Sequence, residues 1–144
     1  MTCIAYKAGY KYQLVEEYTH QLPRPWRPRE TVSTARNWVL VNPRGLLKIK
    51  AGYAWDGASG PTLDTPSSMR GSLVHDALYQ LIREGLFEEW YRLEADVEAQ
   101  RIWREDGMWK WRVMSWFLSL RGFAKFAISP KSSRPTLYAG KGCP

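Results

Sequence analysis

Residues 37–83 read NWVLVNPRGLLKIKAGYAWDGASGPTLDTPSSMRGSLVHDALYQLIR, and within this stretch the spacing of the apolar residues changes from a strand period to a helix period. In its first part, Asn37 to Val41 and Leu46 to Lys50 flank Asn42-Pro43-Arg44-Gly45. Asn first, Pro second and Gly fourth is the order a type I turn prefers, so the stretch predicts an antiparallel hairpin. In its last part, Leu73, Ala77 and Leu81 make one apolar row and Val74, Leu78 and Ile82 another. That pattern predicts a helix from Met69 to Arg83, with Ser67 or Ser68 as its cap and Gly85 as its stop. Strands followed by helices define an α+β chain, in which an N-terminal antiparallel hairpin and its neighbours pack on a C-terminal helical layer.

The flanks agree with this reading. Upstream, YKYQLVEEY over Tyr10 to Tyr18 alternates large and polar residues and predicts a further strand. Pro23, Pro25 and Pro28 in LPRPWRPRE then favour an extended loop anchored by Trp26. Downstream, a second helix is expected from about Glu88 to Glu105, with Leu93, Val97, Ala99, Ile102 and Trp103 as its apolar stripe. A third, Met108 to Ile128, is apolar on most sides and reads as a central core helix. Lys110, Arg112, Arg121 and Lys125 interrupt it, so it lacks the roughly 18 uncharged residues a transmembrane span needs. A helix rich in Trp and Arg also suits a membrane surface. The tail from Ser129 reads as an extended arm. One domain is expected, strand-rich over about 1–60 and helical over about 67–128, because 144 residues suffice for one core.

Composition bounds the function. The chain is 44% hydrophobic and 14% aromatic, with eight Trp and eight Tyr, enough rings to fill a core or to stack on a planar ligand. A net charge of +7 favours a small anionic ligand or an acidic partner, with nucleic acid as a nonspecific one. Basic residues concentrate between Leu22 and Lys50 and again after Gly122. Cys3 and Cys143 stand at opposite ends with no CxxC, which argues against a disulfide framework or a thiolate zinc site. The N-terminus shows no export signal, so a reducing cytoplasm is the expected compartment.

The polar centre is expected where the Trp55-Asp56-Gly57-Ala58-Ser59-Gly60-Pro61 turn meets the helix carrying His75, Asp76 and Tyr79. Asp56 and Ser59 sit in a glycine-flanked turn that either faces a ligand or closes on itself as an Asx turn. Adjacent His75 and Asp76 on an apolar helix require partners to offset desolvation. One reading makes them a buried network, with His75 bonded to Asp96; the other makes Asp56, His75, Asp76 and Asp96 catalytic, holding a divalent metal ion that activates water or using His75 as general acid or base. Ser59, Tyr79, Arg92, Trp55 and Arg70 are the expected ligand-binding residues around them. Arg92 and Asp96 also have the spacing of an intrahelical ion pair. No GxSxG, P-loop, HExxH or GxGxxG occurs. The order His20, His75-Asp76, Asp96 matches HD-type metal phosphohydrolases, but those resemble all-helical bundles, whereas Tyr18 to Gln21 reads as a strand end.

Asp56, Ala58, Ser59 and Pro61, then His75, Asp76, Leu78 and Tyr79, then Arg92, Ala95 and Asp96, resemble the motifs of a phage and prophage family, domain of unknown function 1353. The resemblance covers about the last two-thirds of the chain, ending loosely at Leu120 to Phe123. It departs at Gly60, where a larger apolar residue is usual, and at Arg121-Gly122-Phe123. It implies a phage-encoded accessory protein and assigns no activity. The +7 charge, the aromatic supply for base stacking and the acidic and His centre beside basic arms make the expected function action on a small phosphate-bearing, nucleotide-like ligand in the host cytoplasm, by binding or by phosphodiester hydrolysis, in countering host defence. The alternative is a non-enzymatic virion-associated or host-interaction protein whose His-Asp motif is structural.

Overall fold

A computed structural model describes residues 4–6, 12–55, 66–123 and 137–139 of the chain. The elements run β1 (Ile4–Tyr6), β2 (Tyr12–Gln13), β3 (Tyr18–Gln21), β4 (Val32–Ser33), a short 3-10 turn (Ala35–Asn37), β5 (Val39–Val41), β6 (Leu46–Ile49), β7 (Ala54–Trp55), α1 (Pro66–Arg83), α2 (Tyr91–Glu105), α3 (Lys110–Phe123) and β8 (Leu137–Ala139). The class is α+β, with antiparallel strands packed on three helices. The four-stranded sheet has the order β3-β6-β5-β4, while β1 pairs with β8 and β2 with β7.

The expected hairpin forms as β5 and β6, with Val39 opposite Ile49 and Val41 opposite Leu47. Its turn is held by Asn42, whose side-chain oxygen accepts from the Arg44 and Leu46 amides at 2.9 and 3.0 Å. Gly45 takes φ +78°, a left-handed conformation that side chains resist. Strand alternation sends Val39, Val41, Leu47 and Ile49 into the core, all without exposed surface. The single strand expected over Tyr10 to Tyr18 is two pieces instead. Leu14 exchanges backbone hydrogen bonds with Gly52 and Tyr53, the chain bends at the exposed Val15 and Glu16, and it then joins the larger sheet as β3. Trp26 anchors the proline-rich loop as expected, fully buried against Phe87 and Tyr91, while the Tyr91 hydroxyl donates to the Pro25 carbonyl at 2.8 Å.

Both apolar rows of α1 are buried, which makes it the central helix. Gly71 lets α2 approach it: a Cβ there would overlap the Trp103 ring, whose Nε1 donates to the Ser68 carbonyl. Two helical expectations are corrected. On α2, Leu93 and Val97 are 45% and 42% exposed, and the buried face is Ala95, Asp96, Glu98, Ala99, Ile102 and Trp103. On α3, Val113, Trp116 and Leu120 face the core, whereas Trp111, Met114 and Leu118 face outward, so it is a covering helix and not a central one. Among the described residues no helix is long and apolar enough to cross a membrane.

Candidate functional site

Asp96 is the hub of the polar centre. It lies on the buried side of α2 with no exposed surface, and a carboxylate there persists only if donors replace its water. Three do so. Its Oδ1 accepts from His75 Nε2 at 2.7 Å and from the Tyr79 hydroxyl at 2.6 Å, and its Oδ2 accepts from Arg121 at 2.9 Å. His75 and Tyr79 are four residues apart on α1, so one face of that helix delivers both donors, their rings 4.1 Å apart. Arg121 arrives from the last turn of α3. One buried carboxylate thus joins all three helices.

The electrostatics follow from this geometry. Burial opposes charge on Asp96, but the hydrogen bonds and charges of His75, Tyr79 and Arg121 outweigh it and hold the carboxyl below its usual range. Burial likewise opposes charge on His75, yet Asp76, 3.8 Å from Nδ1, and Asp96 together raise the imidazole above its ordinary value. Both ring nitrogens therefore face carboxylates. Burial, reinforced by Asp96, pushes the Tyr79 hydroxyl far up, so it stays a donor. His75 thus bridges two carboxylates, with Nε2 hydrogen-bonded to Asp96 and Nδ1 facing Asp76.

Of the expected site residues, His75, Asp76, Tyr79 and Asp96 do converge. Asp56 and Ser59 lie outside the described residues, as does the rest of the Gly57 to Pro61 turn. Arg92 does not pair with Asp96; its Nη2 donates to the Arg121 carbonyl at 3.3 Å, and its buried Nη1 has no acceptor among the described residues. The Asp96 oxygens are taken by donors from other helices, which displaces the expected intrahelical pair. Trp55 is buried on β7 against Tyr12, and its Nε1 also lacks an acceptor among the described residues. Arg70 belongs elsewhere, gripping Asp106 at 2.8 to 3.2 Å and reaching Glu105 and the Tyr18 hydroxyl. Among the described residues no group of three or more His, Cys, Asp or Glu is arranged to hold a metal ion. Within the expected metal set, Asp96 accepts from three side-chain donors and His75 turns Nε2 onto it, while the His75 Nδ1 lies 3.8 Å from Asp76.

A second imidazole-carboxylate pair escaped the sequence reading. His20 on β3 and Glu98 on α2 are both buried and meet at 2.7 Å. Arg101 donates to both Glu98 oxygens, which with His20 holds that carboxyl below its usual range against the cost of burial. The signal was present in the spacing. His20 shares the inward face of β3 with Tyr18, and Glu98 falls between Ala95 and Ile102 on the buried row of α2. Comparisons with protein-family models, curated proteins and solved structures find no match to this chain.

Proposed function

We propose that the protein is a phage-encoded accessory factor that works by binding in the host cytoplasm, and that its His-Asp centre is a structural junction of the fold, not a reaction site. The observation that carries this reading is the state of Asp96, which is fully buried and accepts from three side chains on two neighbouring helices. A catalytic carboxylate or imidazole needs a lone pair or proton directed at substrate. Here His75 has a carboxylate at each nitrogen, and Tyr79 spends its proton on Asp96. The test pairs activity with stability. Phosphomonoesters, phosphodiesters and nucleotides, each with Mg²⁺ or Mn²⁺, should show no turnover, and His75→Gln should lower the melting temperature. Metal-dependent hydrolysis that His75→Gln abolishes without changing the melting temperature would reverse the assignment.

A second reading, binding of a small phosphate-bearing anion, draws support from one feature. Among the described residues Arg92 keeps a buried guanidinium nitrogen without an acceptor, and its Nη2 donates to the carbonyl of the partly exposed Arg121. A buried donor left unpaired is costly, and an anion oxygen would satisfy it. Inorganic phosphate or adenosine monophosphate should then raise the melting temperature of the wild type and not that of Arg92→Gln. Equal shifts in both proteins would dismiss Arg92 as the anchor.

A further inference from the structure

The geometry points to α3 as a docking surface for an anionic lipid bilayer, lying flat in the headgroup region with its outer stripe inserted. α3 carries two apolar faces. Val113, Trp116 and Leu120 face the core, and Trp111, Met114 and Leu118, spaced three and four residues apart, lie on the opposite side and are 68%, 46% and 61% exposed. Trp109, immediately before the helix, is 72% exposed and meets Trp111 edge to face at 6.5 Å. Large apolar side chains in such a row, outside any core, mark a contact surface.

Charge selects the occupant. From Met108 onward the chain has seven Lys and Arg and no Asp or Glu, so the whole net charge of +7 falls on α3 and the residues after it. On the helix, the exposed Lys110 lies beside the outer stripe, an arrangement that lets apolar rings enter a bilayer while a cation meets phosphate headgroups, and Arg112 stacks on Trp116 at 4.6 Å. A second copy would set one acid-free basic helix against another, which like-charge repulsion opposes. Two exposed indoles stand at the start of the stripe, and a fluid surface accepts such rings without a matching groove. This assignment names the partner of the binding protein proposed above and rests on that reading, although it is tested on different residues.

The experiment is flotation with vesicles at low and high salt, using pure phosphatidylcholine or an equimolar mixture with phosphatidylserine. The full-length protein should float with the mixed vesicles, lose binding in high salt, and bind pure phosphatidylcholine weakly. Trp111→Ser and Leu118→Ser should each weaken binding about tenfold, the order expected from withdrawing one large apolar side chain, with the melting temperature unchanged because both point away from the core. Absence of binding to mixed vesicles, or unchanged binding by the double variant, overturns the proposal. So does a dimer in sedimentation that Leu118→Ser dissociates, since the stripe would then be covered by a second copy. Vesicle binding with hydrolytic turnover would refute the non-catalytic reading and leave the lipid surface standing.

Discussion

At the scale of single residues, the two imidazole-carboxylate pairs decide what the polar groups do. Asp96→Ala would strand His75, Tyr79 and Arg121 donors in or near the core, and losing one partner of a buried ion pair costs about 3–5 kcal/mol. Chemical denaturation should show that loss, whereas Tyr79→Phe, which removes one hydrogen bond to a charged group, should cost about 1.5–3 kcal/mol. The centre also sets a pH profile. Asp96 titrates below its ordinary 3.8 in the fold, so its contribution is present above that value and lost as acid protonates it. His75 titrates above its ordinary 6.5, so its contribution is complete below 6.5 and lost as pH climbs through the raised value. Melting temperature should therefore be highest between these limits, and His75→Gln should remove the dependence on the alkaline side. His75, Asp76, Tyr79 and Asp96 were legible as a group because polar residues on apolar helices need partners. Arg121 was not legible, because nothing local to its helix distinguishes it from a solvated cation.

At the scale of elements, the hairpin and α1 are written in local chemistry, and α2 and α3 are not. The Asn42-Pro43-Arg44-Gly45 turn forms as its residue order requires, and both rows of α1 are buried. On α2 the hydropathy is misleading, because Leu93 and Val97 are exposed and Asp96 and Glu98 are buried. Two acids inside and two aliphatics outside reverse the usual assignment, and only donors from other elements make that reversal stable. Gly71 gives an element-scale prediction. Ala raises helix propensity, but its Cβ would drive into the Trp103 ring, which is wedged between α1 and α3 and packs edge to face on Trp116. Gly71→Ala should thus destabilise by about 1–3 kcal/mol, the usual cost of overpacking, and not gain the ~1 kcal/mol that an open helical site would give. A urea titration distinguishes the two signs.

At the scale of the whole molecule, sheet and helices are joined by polar as well as apolar contacts. His20 reaches Glu98, Tyr18 reaches Arg70, the Ala35 amide donates to Glu84, and Trp26 packs against Phe87. Because the apolar core runs from β5 and β6 through α1 to α2 and α3, far-ultraviolet ellipticity and tryptophan fluorescence should report one coincident unfolding transition. Two separated transitions would divide the strands from the helices as independent units. The sequence by itself determined the α+β class, the hairpin with its turn and the three helices, since turn chemistry and helical spacing act between residues near each other along the chain; it offered the bond between His75 and Asp96 as one of two readings. Only the tertiary structure decided that Asp96 accepts from three side chains, that Glu98 is paired with His20, that Arg92 keeps a nitrogen without an acceptor among the described residues and that α3 turns an apolar stripe outward. Each of these depends on which distant donor or surface arrives at a given face, and hydropathy along the chain does not encode that arrival.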